Sequence, residues 1–176
     1  MDSQHFYILG QILGFVAVIL GFASFQMKNA KGLLFLQIFV AFVFSAHYFL
    51  IGAMPAAVMN VVGIFRNVIF YFKDKKFYRP RLFPVLFAIV MLGFGIYSWI
   101  GWHSIFVVAG LVIHTLCLPM KDPQNIRKSI LVTSPMVLIY DAIELSFGGM
   151  IYESVVIISS IIGIIRFKKK EIKENV

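Results

Sequence analysis

FSAHYFLIGAMPAAVMNVVGIFRN, residues 44–67, decides how the rest of the chain is read. Two apolar runs meet in it at Gly52-Ala53-Met54-Pro55, and His47, Tyr48, Asn60 and Arg66 are set among side chains that hydrocarbon would accept. Pro55 suits the first turn of a helix, where its missing N–H forfeits no bond. The stretch therefore reads as two membrane helices joined by a tight turn. Its polar groups are costly in hydrocarbon unless they find partners or a wet cavity.

Composition extends that reading to the whole chain. Of 176 residues, 60% are hydrophobic and 14% charged, and the mean hydropathy is +0.90. A soluble domain of this size cannot hide so much apolar surface, because most residues of a small globule still touch water. Apolar runs of roughly 17 to 20 residues recur, about what a helix needs to cross some 30 Å of hydrocarbon. The alternating short segments of a transmembrane barrel are absent. Seven spans are expected, at 7–25, 33–51, 56–72, 82–100, 104–119, 130–145 and 152–167. The first is kept as a membrane helix because residues 1–11 lack a basic region and no small-residue cleavage pattern follows. Lys121-Asp122-Pro123-Gln124-Asn125-Ile126-Arg127-Lys128 reads as a loop, Gly148-Gly149 as a turn and 171–176 as a short solvated tail.

The net charge of +8 follows the same plan. Lys and Arg concentrate after spans one, three and five and in the tail, while the connections after two, four and six hold none. The positive-inside rule then places the amino terminus outside and the carboxyl terminus in the cytoplasm, and no nucleic-acid partner is expected. The alternative, one weak run as a buried or re-entrant piece, would put two adjacent basic loops on opposite sides. Cys117 is the single cysteine, so there is no disulfide framework and no cysteine-rich metal site.

An internal repeat is suggested by Gly52-Ala53-Met54 against Gly148-Gly149-Met150. Each is the outer turn of a three-helix unit with a basic first connection and a basic end. The fold class expected is an all-α membrane protein with seven transmembrane helices in a 3+1+3 arrangement of parallel repeats, the fourth helix acting as an inversion linker. The units are 1–72, the linker with its helix 73–103, the second repeat 104–167 and the basic tail 168–176.

Through His47, Leu50, Gly52, Pro55 and Arg66, and through Gly148-Gly149-Met150, Glu153 and Ile164-Ile165-Arg166-Phe167, the chain resembles the YgjV-type bacterial inner-membrane proteins. That resemblance implies a multi-pass protein of the bacterial cytoplasmic membrane. Leu13-Gly14-Phe15-Val16-Ala17, Ala23-Ser24-Phe25-Gln26 and Pro55-Ala56-Ala57-Val58-Met59-Asn60 also look like the three-helix unit of the SemiSWEET, SWEET and PQ-loop transporters. There the Asn and an aromatic before the outer turn line a central sugar pocket, which places Asn60 and Tyr48 in those roles. No proline precedes Gln26, and Tyr48 stands where that family has tryptophan. The second unit's Asn position falls near Val156 or Ile157, so any pocket is expected to be asymmetric.

Each polar group in a span carries two readings. Asn60, Gly63 and Asn67 share a face of the third helix, which lines a cavity or glues helices together. Arg66 either snorkels or contacts a solute. Tyr140, Asp141 and Glu144 cluster on the sixth helix, and two carboxylates so close repel if both ionise in a low dielectric. Asp141 and Glu144 are therefore proton-coupling candidates, although the position of Glu144 favours a headgroup-boundary residue. Asp141 has Arg66 or His114 as potential partners. His47 and His114 are isolated, with no metal-binding spacing, and no nucleotide or nucleophile motif occurs. Trp99 and Trp102 read as interface anchors.

The leading expectation is a small secondary transporter or facilitator of a small polar solute. Asn60, Tyr48, His47, Arg66, Asn67, His114 and Tyr140 are its substrate-site candidates. Neither enzymatic activity nor a cofactor or metal is expected. The partners are the lipid bilayer and the solute, and a homo-oligomer is compatible with both. A non-transporting membrane scaffold is the rival, and an intramembrane enzyme using Asp141 and Glu144 comes third.

Overall fold

Long apolar runs with few breakers can satisfy their backbone only as helices in a bilayer, and helices are what form. The computed structural model describes residues 3–25, 27, 30–73, 75–76, 78–118 and 123–174. Within them lie α1 (Ser3–Phe25), α2 (Ala30–Ile51), α3 (Met54–Tyr71), α4 (Leu82–Tyr97), α5 (Ser104–Cys117), α6 (Pro123–Ile143) and α7 (Phe147–Glu174). No strand occurs among the described residues. Gln26, Lys28 and Asn29 of the first basic connection fall outside them, as do Asp74, Phe77 and residues 119–122, which include the first two residues of the expected 121–128 loop.

The helices form a closed ring. Each packs against its neighbour in sequence, α1 closes the ring on α7, and α3 also touches α5. Phe44, Tyr48, Met59, Met91, Val107 and Tyr140 meet in the core. Phe22, Phe42, Phe65, Ile89 and Ile162 point outward, leaving an outer wall as apolar as the inside. α1, α2, α3 and α7 are long and apolar enough to cross a membrane, whereas α4 and α5 are apolar but shorter.

Three connections gather at one end of the ring. His47 of α2 bonds Ser146 in the α6–α7 turn, and His103 before α5 pairs with Glu144 of that same turn. These are the connections without Lys or Arg, so this end is called the turn end and the opposite one the basic end.

Two expectations need correction. Pro123 to Lys128 is the first part of α6, not a loop. Pro123 is pre-set for a first helical turn, and charged side chains outside the apolar zone do not stop a helix. Gly148 and Gly149 are likewise inside the first turn of α7, which runs on through residues 171–174 instead of ending before a tail. The turn is made by Glu144, Leu145 and Ser146. The glycines serve packing: a Cβ on Gly148 would lie 2.5 Å from the Cα and carbonyl carbon of Gly14, so the α1 and α7 backbones touch there.

Candidate functional site

The α2–α3 and α6–α7 turns share one backbone pattern. Gly52 has φ +85 and Leu145 φ 53, both left-handed. The Ala53 N–H donates to Tyr48 O and the Ala57 N–H to Ala53 O. In the second turn Ser146 N–H donates to Asp141 O and Met150 N–H to Ser146 O. Gly52 thus matches Leu145, three residues before the Gly148 suggested by glycine content. Tyr48 matches Asp141, and these two residues, 93 apart, hydrogen-bond each other: Tyr48 OH donates to Asp141 Oδ1 at 2.8 Å.

That register moves the partner of Asn60 from Val156 or Ile157 to Glu153, each six residues into its helix. Both line a cavity of about 230 Å³ enclosed by α2, α3, α5, α6 and α7, with Met91 of α4. Its walls keep the same spacing: Gln37, Val40, Ala41 and Phe44 on α2 are answered by Ile130, Thr133, Ser134 and Val137 on α6. Met59, Asn60 and Gly63 on α3 are answered by Tyr152, Glu153 and Val156 on α7.

The turn end of the cavity is shut by a polar layer over an aromatic one. The His47 ring lies 2.7 Å from Gly10 O through Nδ1 and 2.7 Å from Ser146 Oγ through Nε2. Facing a carbonyl, Nδ1 is the donor in the first bond, and Nε2 shares the second with the Ser146 hydroxyl. Asp141 is fully buried, and its Oδ2 has no hydrogen bond, although Ser146 stands beside it. Gln11 clamps the same turn, donating to Leu145 O at 2.8 Å and accepting from Phe147 N–H. Phe44 stacks on Tyr48 with ring centroids 5.6 Å apart and meets Tyr152 edge-on at 5.0 Å. His47, Ser146 and Asp141 do not form a nucleophile triad, because the carboxylate sits by the serine and His47 Nδ1 faces a backbone carbonyl.

A second polar group lies toward the basic end. Arg66 is buried. Its Nη1 donates to Thr115 Oγ1 at 2.7 Å, and Nε and Nη2 donate to Asn67 Oδ1. Asn67 donates onward to Gln37 O, and Gln37 Nε2 reaches Ser24 Oγ and Tyr152 OH. Glu153 is surrounded by protein and open to the cavity, with Ser134 next to its carboxylate.

The sequence candidates therefore sort into three groups. Asn60, Tyr48, Arg66, Asn67 and His114 line the cavity, and Gly63 lies between them. His47 and Asp141 belong to the sealing layer, and Tyr140 is fully buried near the same end of α6. Glu144 stands apart, 2.7 Å from His103 near the surface. Asp141 meets neither Arg66 nor His114: it lies two residues before the end of α6 at the turn end, while Arg66 lies twelve residues into α3, about 18 Å along it at 1.5 Å per residue. Glu153, Gln37, Ser134, Tyr152, Thr115 and Ser146 were not among the candidates. Gln37 and Glu153 were visible as polar residues within or at the edge of apolar runs. Thr115 and Ser134 carry no such signal, since short hydroxyls are common in membrane helices.

Among the described residues no cluster of His, Cys, Asp or Glu could hold a metal ion. Neither the curated proteins nor the solved structures contain a match to this chain. A family model does match, over residues 8–171, and nearly the whole ring lies within it: the chain belongs to the Imp-YgjV family, described as bacterial inner membrane protein.

Proposed function

We propose that this inner-membrane protein is a small carrier that moves a small polar solute by alternating access, as a seven-span, 3+1+3 molecule with its basic end in the cytoplasm. The observation that carries the reading is the central cavity, whose α2/α6 and α3/α7 walls repeat at one constant spacing. The ring contacts fit the same symmetry, since exchanging α1, α2, α3 with α5, α6, α7 turns the α1–α7 contact into the α3–α5 contact. Tyr48 and Asp141, matched positions joined across that axis, act as the outer gate, and His47, Ser146 and Gln11 brace it. Asp141 and its unbonded oxygen are the place for a proton to couple to gate opening. Asn60, whose Nδ2 is held by Ala56 O, offers its amide oxygen to solute, and no enzymatic step is part of the scheme.

Labelling tests this against a scaffold whose polar residues only cement helices. Asn60→Cys in a Cys117→Ala background, in oriented vesicles, is expected to react with a membrane-impermeant thiol reagent added at the basic face. Complete protection from both faces favours the scaffold.

A further inference from the structure

Two charged side chains line the cavity, and neither has an ion-pair partner among the described residues: Arg66 and Glu153. Arg66 spends three of its five N–H donors on Thr115 and Asn67, leaving one on each terminal nitrogen. Glu153 is matched by Asn60 on the opposite wall, and Arg66 lies six residues, about 9 Å, further along α3 than that level. The gap is narrower at the side chains, because helical side chains lean toward the helix amino terminus. Arg66 does so: its Nη2 lies 3.9 Å from where a Cβ on Gly63 would sit. The cavity thus has a positive end and a negative end in a low-dielectric surround, where unlike charges held apart favour an occupant that brings its own opposite pair.

Resting on the carrier reading, we infer that the solute is a small zwitterion of the amino-acid type, its ammonium group toward Glu153 and its carboxylate toward the free N–H groups of Arg66. Asn60 and Ser134 lie beside the ammonium end, and His114 lines the same chamber. A volume of about 230 Å³ suits that size. It equals roughly seven or eight waters at about 30 Å³ each, below the roughly 300–1,000 Å³ of sites for drug-sized ligands.

The test is thermal unfolding of the purified full-length protein with each standard amino acid, its methyl ester (a cation), its N-acetyl derivative (an anion) and glucose. At least one amino acid is expected to raise Tm saturably, by about 5 °C or more at a hundredfold excess over Kd. Its ester and its N-acetyl form are expected to shift Tm by less than about a fifth as much, as each lacks one charge. In Glu153→Gln the N-acetyl form should approach its parent amino acid, a change of preference that loss of packing would not produce. Equal shifts from parent, ester and N-acetyl forms in the unaltered protein overturn the inference, as does silence from every amino acid. A response to glucose alone overturns it while leaving the carrier in place, and the Asn60→Cys labelling decides the carrier separately.

Discussion

Tyr48 donates to Asp141 from the end of one helical hairpin to the end of another, in a setting where neither group can turn to water. Hydrogen bonds between membrane helices average only about 0.6 kcal/mol and reach about 1.7. A double-mutant cycle with Tyr48→Phe and Asp141→Asn is therefore expected to return a coupling of about 0.5–2 kcal/mol in unfolding measurements, and a coupling of zero would mean that the two act independently. Asp141→Ala should cost more than either, since it strands the buried phenol hydroxyl and leaves a void. Several of these residues were legible in sequence. Tyr48, Asn60, Arg66 and Asn67 stand out because an apolar run makes any polar member conspicuous. Glu153 was passed over because matching Gly52 to Gly148 offsets the two turns by three residues, nearly one helical turn. Left-handed geometry at Leu145, which no residue preference signals, instead aligns the two turns at Gly52 and Leu145.

At the scale of elements, the α6–α7 turn and the α1–α7 crossing are the joints that matter. Leu145 has φ 53, a conformation that favours glycine, and its side chain is exposed. Leu145→Gly should relieve strain of order 1 kcal/mol, partly offset by the freer unfolded chain, and so leave stability unchanged or slightly higher. The opposite holds at Gly148. A Cβ there meets the Gly14 backbone, which cannot rotate away, so Gly148→Ala is expected to push α7 off α1 and cost about 1–3 kcal/mol in thermal unfolding. Helix boundaries were less readable than helix existence. Pro123 and the charges to Lys128 resemble a loop by composition, yet α6 runs through them and past Pro135, because only the lipid-facing length of a helix must be apolar.

For the whole molecule, the number of apolar runs and the alternation of basic and uncharged connections could be read directly, since bilayer thickness and leaflet charge act on composition alone. Which polar groups would share a cavity could not, because Gln37 on α2 and Ser134 on α6 come to line one chamber only when the helices close into a ring. Filling that cavity tests its role without disturbing the frame. A Cβ on Gly63 would meet only Arg66 Nη2, at 3.9 Å, so Gly63→Leu should fold normally and cut solute-dependent stabilisation at least tenfold in apparent affinity. In the carrier scheme the Tyr48–Asp141 pair is the bond that holds the cavity shut toward the turn face. Labelling of Asn60→Cys from that face, with and without Tyr48→Phe and Asp141→Asn, addresses it directly. Little reaction is expected with the gate intact and a rise of at least tenfold with the gate weakened, and unchanged protection of residue 60 from the turn face in the weakened protein would mean that the pair is not the gate.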